Sequence, residues 1–175
     1  MLALVLCLSL CLLTANPVWA GIKDDHFDGN IFALYAGNGS LVPPKTTLAN
    51  SLRSDRPTLL TFYVDDSRDC KQFSAVISQL QSYYGRVADF IPVILDAIPL
   101  QTQDDPTEPA FYYKGYLPQT VIFDVAGQVV FEGAGQVPFE DLDDAFRTVF
   151  DLLPRSESLD LKRRPLNEVN AELVR

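Results

Sequence analysis

The sequence predicts an α/β fold in which a central mixed β-sheet is flanked by helices and preceded by an N-terminal signal or anchor segment. Three observations lead to this prediction. An apolar strand pattern covers residues 58–64, and a helical pattern over residues 68–84 follows it directly. Two further apolar runs, at residues 121–123 and 129–131, have the spacing of a β-hairpin. Strands and helices in this order typically form a layered α/β sandwich.

The first twenty residues predict an export signal or a membrane anchor. Residues 2–13 form an apolar run rich in leucine, and Asn16-Pro17 ends it. Val18-Trp19-Ala20 then offers small residues at the positions that a signal peptidase reads, although no lysine or arginine precedes the run. An uncleaved anchor is the alternative, because residues 2–22 reach the roughly 20 residues that a span requires.

We expect one domain over residues 21–153 and a C-terminal tail over residues 154–175. A chain of 175 residues that is 47% hydrophobic can bury one core. Its net charge of -9 excludes a typical nucleic-acid binder, because phosphates attract lysine and arginine. Membrane association through residues 1–20 stays possible. Cleavage of the signal would remove Cys7 and Cys11, which leaves Cys70 without a partner for an internal disulfide.

The predicted elements follow in chain order. Before the central strand we expect a strand at Ile31–Tyr35, a turn at residues 37–40, and a short helix that starts at Pro43-Pro44, with Thr46 or Thr47 near its N-cap and Leu48 and Leu52 facing inward. The helix at residues 68–84 ends at Gly85, and a strand at residues 90–95 follows. Residues 96–108 predict a solvated polar loop, which includes Asp104, Asp105 and Glu108. After the hairpin, a last helix over residues 139–153 points Leu142, Phe146, Val149, Phe150 and Leu153 inward.

Ser67 and Cys70 stand where a redox motif would have two cysteines. In a Cys-x-x-Cys pair at a helix start, the helix N-terminus stabilises the first thiolate, and the second thiol resolves the mixed disulfide. The Ser67 hydroxyl can neither form nor exchange a disulfide. Cys70 alone could form only a mixed disulfide, and its helix position predicts partial burial.

Residues 58–153 resemble the thioredoxin family. Ser67-Arg68-Asp69-Cys70-Lys71 stands where the family has Cys-Gly-Pro-Cys-Lys, and Leu117-Pro118 stands where it has its cis-proline. The hairpin, Gly135 and the final helix match the family's ending. The resemblance implies a thioredoxin-like fold without ordinary dithiol chemistry, since the first cysteine is replaced.

Three segments carry a narrower resemblance, at residues 24–35, 62–71 and 152–156. They are similar to the family of cyanobacterial thylakoid membrane photosystem I accumulation factors. This resemblance implies a place at the thylakoid membrane or in the lumen, with the periplasmic side as the alternative. It also implies a role in photosystem I biogenesis, with photosystem I subunits or assembly proteins as partners and no cofactor.

The resemblance places a partner-binding face at the former redox turn. In thioredoxin-like proteins the cis-proline loop lies opposite this turn, and its backbone can pair with an extended peptide. The expected face consists of Ser67, Arg68, Asp69, Leu117, Pro118 and Gln119. We expect Pro118 to be cis, with an ordinary trans proline as the alternative. Nearby aromatic residues form either a binding rim or part of the core: Phe111, Tyr112, Tyr113 and Tyr116.

Other chemistry finds little support. Asp65, Asp66 and Asp69 lack the spacing and the glycine of a calcium loop, so no metal site is expected. His26 is the single histidine, and no hydrolase, zinc or phosphate-loop motif occurs. The preferred hypothesis is a non-catalytic assembly factor. A monothiol oxidoreductase that uses Cys70 is the alternative, and a scaffold that binds through another surface is the third hypothesis.

Overall fold

A four-stranded mixed sheet forms the centre of the protein. The computed structural model describes residues 21–98 and 104–158, so the predicted signal or anchor and residues 159–175 of the tail lie outside the described residues. The strands are β1 (Thr58–Tyr63), β2 (Asp89–Ile94), β3 (Gln119–Phe123) and β4 (Val129–Ala134). Their spatial order is β2-β1-β3-β4, with β1 and β2 parallel and the other pairs antiparallel.

Helices cover this sheet and complete a thioredoxin-like arrangement. They are α1 (Ile31–Leu34), α2 (Leu48–Ser51), α3 (Arg68–Tyr84) and α4 (Phe139–Val149). Helix α3 makes the crossover that the parallel pair β1 and β2 requires. The hairpin β3–β4 and then α4 follow. This order of elements confirms the fold class that the sequence predicts.

The side chains of β1 alternate between two cores. Leu59 and Tyr63 pack in the larger cluster, which also contains residues of α1, α3 and α4. Leu60 and Phe62 pack on the opposite face in a smaller cluster with Leu48 of α2. Since both faces of β1 are covered, all six of its residues are buried, and exposed residues do not alternate with buried ones.

The prediction of a strand at Ile31–Tyr35 is wrong, because residues Ile31–Leu34 form helix α1. Side chains supply acceptors for the first N–H groups of this helix. Asn30 accepts hydrogen bonds from the backbone N–H of Phe32 and Ala33, at 3.1 and 3.2 Å. The Asp65 carboxylate accepts another from the Ile31 N–H at 3.0 Å. That last contact joins residues far apart in sequence, and a local apolar pattern cannot reveal it.

Two predicted helix boundaries also need correction. The short helix begins at Leu48 and not at Pro43-Pro44, because Thr47 is its N-cap and accepts a hydrogen bond from the Asn50 N–H at 3.2 Å. The last helix ends at Val149. Asp151 then adopts a left-handed conformation, with φ of 50°, which turns the chain away from the core. Leu153 is consequently 61% exposed and does not face inward.

Removal of a core aromatic side chain tests this packing. Phe146 is fully buried and stacks on Tyr84, Phe90 and Phe150. We expect Phe146→Ala to lower the free energy of unfolding by about 3–5 kcal/mol, measured by urea denaturation. Phe111→Ala, at a half-exposed position, is the matched control and should cost far less. Equal losses in the two variants would contradict the assignment of the core.

Candidate functional site at the start of helix α3

The register of the sheet brings the former redox turn and the proline loop to one end of the molecule. Phe62 pairs with Gln119 across the antiparallel strands β1 and β3. Strand β1 therefore ends where β3 begins, so residues 65–67 and Leu117-Pro118 leave the same end of the sheet. The Leu117-Pro118 peptide bond is cis, which confirms the prediction.

Residues 135 and 136 connect the proline loop with the start of α3. The Gly135 N–H donates a hydrogen bond to the Pro118 carbonyl at 2.8 Å. The next side chain, Gln136, donates from Nε2 to Asp69 Oδ1 at 3.0 Å and to Gln72 Oε1 at 3.2 Å. Gln136 was not among the residues expected from the sequence. It links the two halves of the predicted face.

Gln119 supports this face from behind. Its side chain is fully buried, and both ends of its amide are bound within the chain. Nε2 donates to the Tyr112 carbonyl at 2.6 Å, and Oε1 accepts from the Lys114 N–H at 2.9 Å. Gln119 therefore positions residues 112–114, and its side chain does not reach the surface where a partner would bind.

Ser67 is the N-cap of helix α3. Its backbone is extended, with φ of -93° and ψ of 125°, and its hydroxyl accepts a hydrogen bond from the Cys70 N–H at 3.4 Å. Serine is among the preferred residues at this position because its oxygen satisfies an N–H group that the helix leaves open. A second acceptor comes from outside the turn, since Asp25 Oδ1 accepts from the Arg68 N–H at 2.8 Å.

Cys70 is unsuited to thiol chemistry in this fold. The residue is only 2% exposed and belongs to the larger core cluster. Burial raises the pKa of the Cys70 thiol above its ordinary value, against hydrogen bonds with the Val64 backbone and the Ser67 side chain that lower it. The thiol is therefore protonated at neutral pH and inaccessible, whereas a nucleophilic cysteine must be an accessible thiolate.

Lys71 is the main residue of the site that sequence reasoning missed. Its side chain is fully buried. The ammonium donates hydrogen bonds to the Gly21 carbonyl at 3.0 Å, to Asp24 Oδ1 at 3.0 Å and to Asp28 Oδ2 at 2.7 Å. All three of its protons thus have acceptors. These acceptors all belong to residues 21–28, which we call the strap.

The charges of Lys71, Asp24 and Asp28, which together we call the Lys71 anchor, stabilise one another. Burial lowers the pKa of Lys71, but hydrogen bonds and charges from Asp28 and Asp24 outweigh burial, and the pKa lies above its ordinary value. Hydrogen bonds from Lys71 and then from Tyr35 lower the pKa of Asp28. Both groups are therefore charged at neutral pH. The Tyr35 ring also lies 5.3 Å from the ammonium, in a cation–π contact.

The acidic residues near the turn are engaged separately. Asp65 is buried against the start of α1, and this burial raises the pKa of its carboxyl. Asp69 bonds to Gln136, whereas Asp66 is exposed. Within residues 21–98 and 104–158, no three His, Cys, Asp or Glu side chains are grouped so that they could hold a metal ion. His26 is exposed.

The predicted aromatic rim is divided between core and surface. Tyr112 makes an edge contact with Phe123 at 4.9 Å between ring centres, and Tyr113 packs on Phe62 at 5.4 Å. These two rings extend the smaller core cluster. Phe111 is 45% exposed, and Tyr116 is half-buried. Only the last two can contact a partner extensively.

Comparison with known proteins finds a close relative. The chain is 52% identical over 155 residues to the "Thylakoid membrane protein slr1796" of Synechocystis sp., and the match covers 89% of this chain and 77% of that protein. No protein-family profile matches the chain. Among the described residues, no helix has the length and apolar character needed to cross a membrane.

Solved structures give weaker matches. A thioredoxin from Trypanosoma brucei brucei is 16% identical with a TM-score of 0.47, over 58% of this chain and 81% of that one. A yeast mitochondrial 1-Cys peroxiredoxin is 16% identical with a TM-score of 0.44, over 59% of this chain and 86% of that one.

Loss of the Lys71 charge tests the anchor. In Lys71→Met, Asp28 keeps its charge while its side chain is 6% exposed and has lost its cation. We expect the free energy of unfolding to fall by about 3–5 kcal/mol, measured by urea denaturation at neutral pH. Lys45→Met, at an exposed lysine, is the control. A stability of Lys71→Met equal to that of the unmodified protein would show that the anchor contributes nothing.

Acid should weaken the same anchor. Because the folded pKa of Asp28 is lowered, its contribution is complete above its unfolded pKa and is lost as pH falls through the folded value. The stability difference between the unmodified protein and Asp28→Asn should be largest near neutral pH and should shrink below about pH 4. Thermal unfolding across this range measures it. Asp66→Asn serves as the exposed control, and a difference that grows on acidification would refute the assignment.

Proposed function

Since the chain belongs to the family of the thylakoid membrane protein slr1796, we propose that it is a non-catalytic, thioredoxin-like assembly or accumulation factor for photosystem I. It binds protein partners at the thylakoid membrane, facing either the membrane or the lumen. The relative's name supports the location, and the resemblance of residues 24–35, 62–71 and 152–156 supports the role in photosystem I biogenesis. Photosystem I subunits or their assembly proteins are the partners.

The main-chain groups of Leu117 carry the proposal of a binding face. Leu117 precedes Pro118 outside the sheet, at the end where the Ser67 turn also lies. Its N–H and C=O make no backbone hydrogen bond to another described residue. An extended segment of a partner can pair with such groups as an added strand. Arg68 and Asp69, each with a half-exposed side chain, border this position.

The same geometry disfavours the monothiol alternative. Ser67 provides no sulfur, and the Cys70 thiol is buried and protonated. Exchange requires an incoming disulfide to reach a thiolate. A fold of this kind retains its peptide-binding surface when its sulfur chemistry is lost, because main-chain pairing beside Pro118 does not involve the thiol.

Deletion of the gene in the source organism, followed by complementation, tests the proposal. Deletion should lower the amount of photosystem I per chlorophyll, measured from the light-induced absorbance change of its reaction centre. Cys70→Ser should restore the amount fully, because the thiol has no role. Arg68→Trp should not restore it, because a bulky ring at the helix start obstructs the face. Arg53→Trp, the same change at an exposed arginine elsewhere, should restore it.

Each contrary result has a distinct meaning. A Cys70→Ser protein that accumulates normally but fails to complement would support the monothiol oxidoreductase. Full complementation by Arg68→Trp would show that another surface binds the partner, as in the scaffold hypothesis. An unchanged amount of photosystem I after deletion would refute the role in photosystem I biogenesis. Immunoblots of each variant establish that the proteins accumulate.

A further inference from the structure

We infer that the strap is a built-in ligand of the start of helix α3, because its Asp25 carboxylate binds the Arg68 N–H, a helix-terminal group that would otherwise help to stabilise a thiolate at residue 67. The strap then adds a barrier to redox chemistry beyond the missing sulfur at residue 67 and the buried Cys70 thiol. This inference deepens the proposed non-catalytic function and rests on it, because it concerns the same turn.

The N-terminus of helix α3 is already occupied by oxygen acceptors. Open N–H groups and the helix dipole make the start of a helix favourable for a negative charge. In α3, the Arg68 N–H donates to Asp25 Oδ1 at 2.8 Å, and the Cys70 N–H donates to Ser67 Oγ at 3.4 Å. The carboxylate thus already uses the stabilisation that lowers the pKa of a thiol at this position in a redox-active protein.

The strap is held in place by Lys71 of helix α3. Asp25 lies between Asp24 and Asp28, and the buried Lys71 ammonium binds both of these carboxylates, at 3.0 and 2.7 Å. The same ammonium holds the Gly21 carbonyl at 3.0 Å. Moving the strap away would take all three acceptors from the Lys71 ammonium and break both of its ion pairs, which is strongly unfavourable. Asp25 is therefore held beside the helix start.

One side of the helix start remains open to a partner. Lys71 and Asp69 are two residues apart, which places them about 200° apart around the helix axis. The strap covers the side of Lys71, whereas Gln136 contacts Asp69 on the other side. A partner segment therefore approaches from the side of Asp69, Gln136 and Leu117, away from the strap.

Introduction of a thiol at residue 67 tests the inference directly. The full chain with Ser67→Cys is compared with the same chain carrying in addition Asp25→Ala, Asp25→Asn or Asp66→Asn. The rate of alkylation by iodoacetamide is followed against pH for each protein. Peptide-resolved mass spectrometry separates the introduced thiol from Cys7, Cys11 and Cys70.

The inference predicts an ordered series. With Asp25 present, the introduced thiol should titrate near the ordinary cysteine value of about 8.5 or above, because a like charge disfavours the thiolate. Asp25→Ala frees the N–H and removes the charge, so alkylation at neutral pH should rise about tenfold, which is one pKa unit. Asp25→Asn should raise the alkylation rate less, because an amide oxygen can still accept the hydrogen bond. Asp66→Asn should raise it least.

Two results would overturn the inference. One is a thiol that titrates well below neutral pH in Ser67→Cys alone. The other is an effect of Asp66→Asn as large as that of Asp25→Ala, because it would show that nearby charge alone sets the reactivity. Failure of the photosystem I complementation would leave these thiol measurements unchanged, so the two proposals fail separately.

A second measurement avoids any change at Ser67. Hydrogen exchange of the Arg68 amide is compared in the unmodified protein, Asp25→Ala and Asp66→Asn. Loss of the Asp25 acceptor should speed exchange at Arg68 by about tenfold or more, as expected when a hydrogen bond worth about 1.5 kcal/mol is lost. Asp66→Asn should leave it unchanged. Equal protection of the Arg68 amide in all three proteins would contradict the inference.

Discussion

The buried ammonium of Lys71 is the interaction on which the arrangement of this site depends. A charge without water is tolerated in a folded protein only when acceptors surround it, and this one has a carbonyl and two carboxylates. All three acceptors come from residues 21–28, so the cation determines where this segment lies. One residue of the first turn of α3 thereby fixes a second layer of chain over the helix start.

This layer changes the chemistry that the thioredoxin-like turn can perform. Ser67 supplies a good helix N-cap, and Asp25 supplies a carboxylate that accepts from the Arg68 N–H. Both groups satisfy the helix terminus with oxygen, whereas a redox protein leaves it available to sulfur. The cis-Pro118 loop is untouched by these changes, and Gly135 and Gln136 still hold it against the helix. The turn keeps the geometry of a binding surface without the reactivity of a thiol.

Much of the fold could be predicted because its signals are local. The apolar face of residues 68–84 marks helix α3 at both ends, and the runs around residues 121–131 mark the hairpin. Helix α1 was mistaken for a strand because its short apolar run suits either element, and the local N-cap Asn30 is supplemented by Asp65 from a distant part of the chain. Leu153 was expected inside because the helical pattern continues past the left-handed residue Asp151.

The candidate site was predictable only in part, because some of its contacts join distant parts of the chain. Ser67, Cys70 and Pro118 are recognisable by motif spacing, and the structure brings them to one end of the sheet. A lysine within a helix pattern is ordinarily solvated, so nothing local marks Lys71 as buried. The one available signal was the pair Asp24 and Asp28, acidic residues four apart in an otherwise mixed segment. Their common partner becomes evident only in three dimensions.

The most direct test is proton–nitrogen NMR of the lysine ammonium groups at neutral pH. Solvated ammonium protons exchange too fast to be seen, whereas three hydrogen bonds in a buried place should protect those of Lys71. We expect a persistent ammonium signal with proton contacts to residues 21–28, and its absence in Lys71→Met. A spectrum in which every lysine ammonium exchanges rapidly would show that Lys71 is solvated and that the strap is not anchored to helix α3.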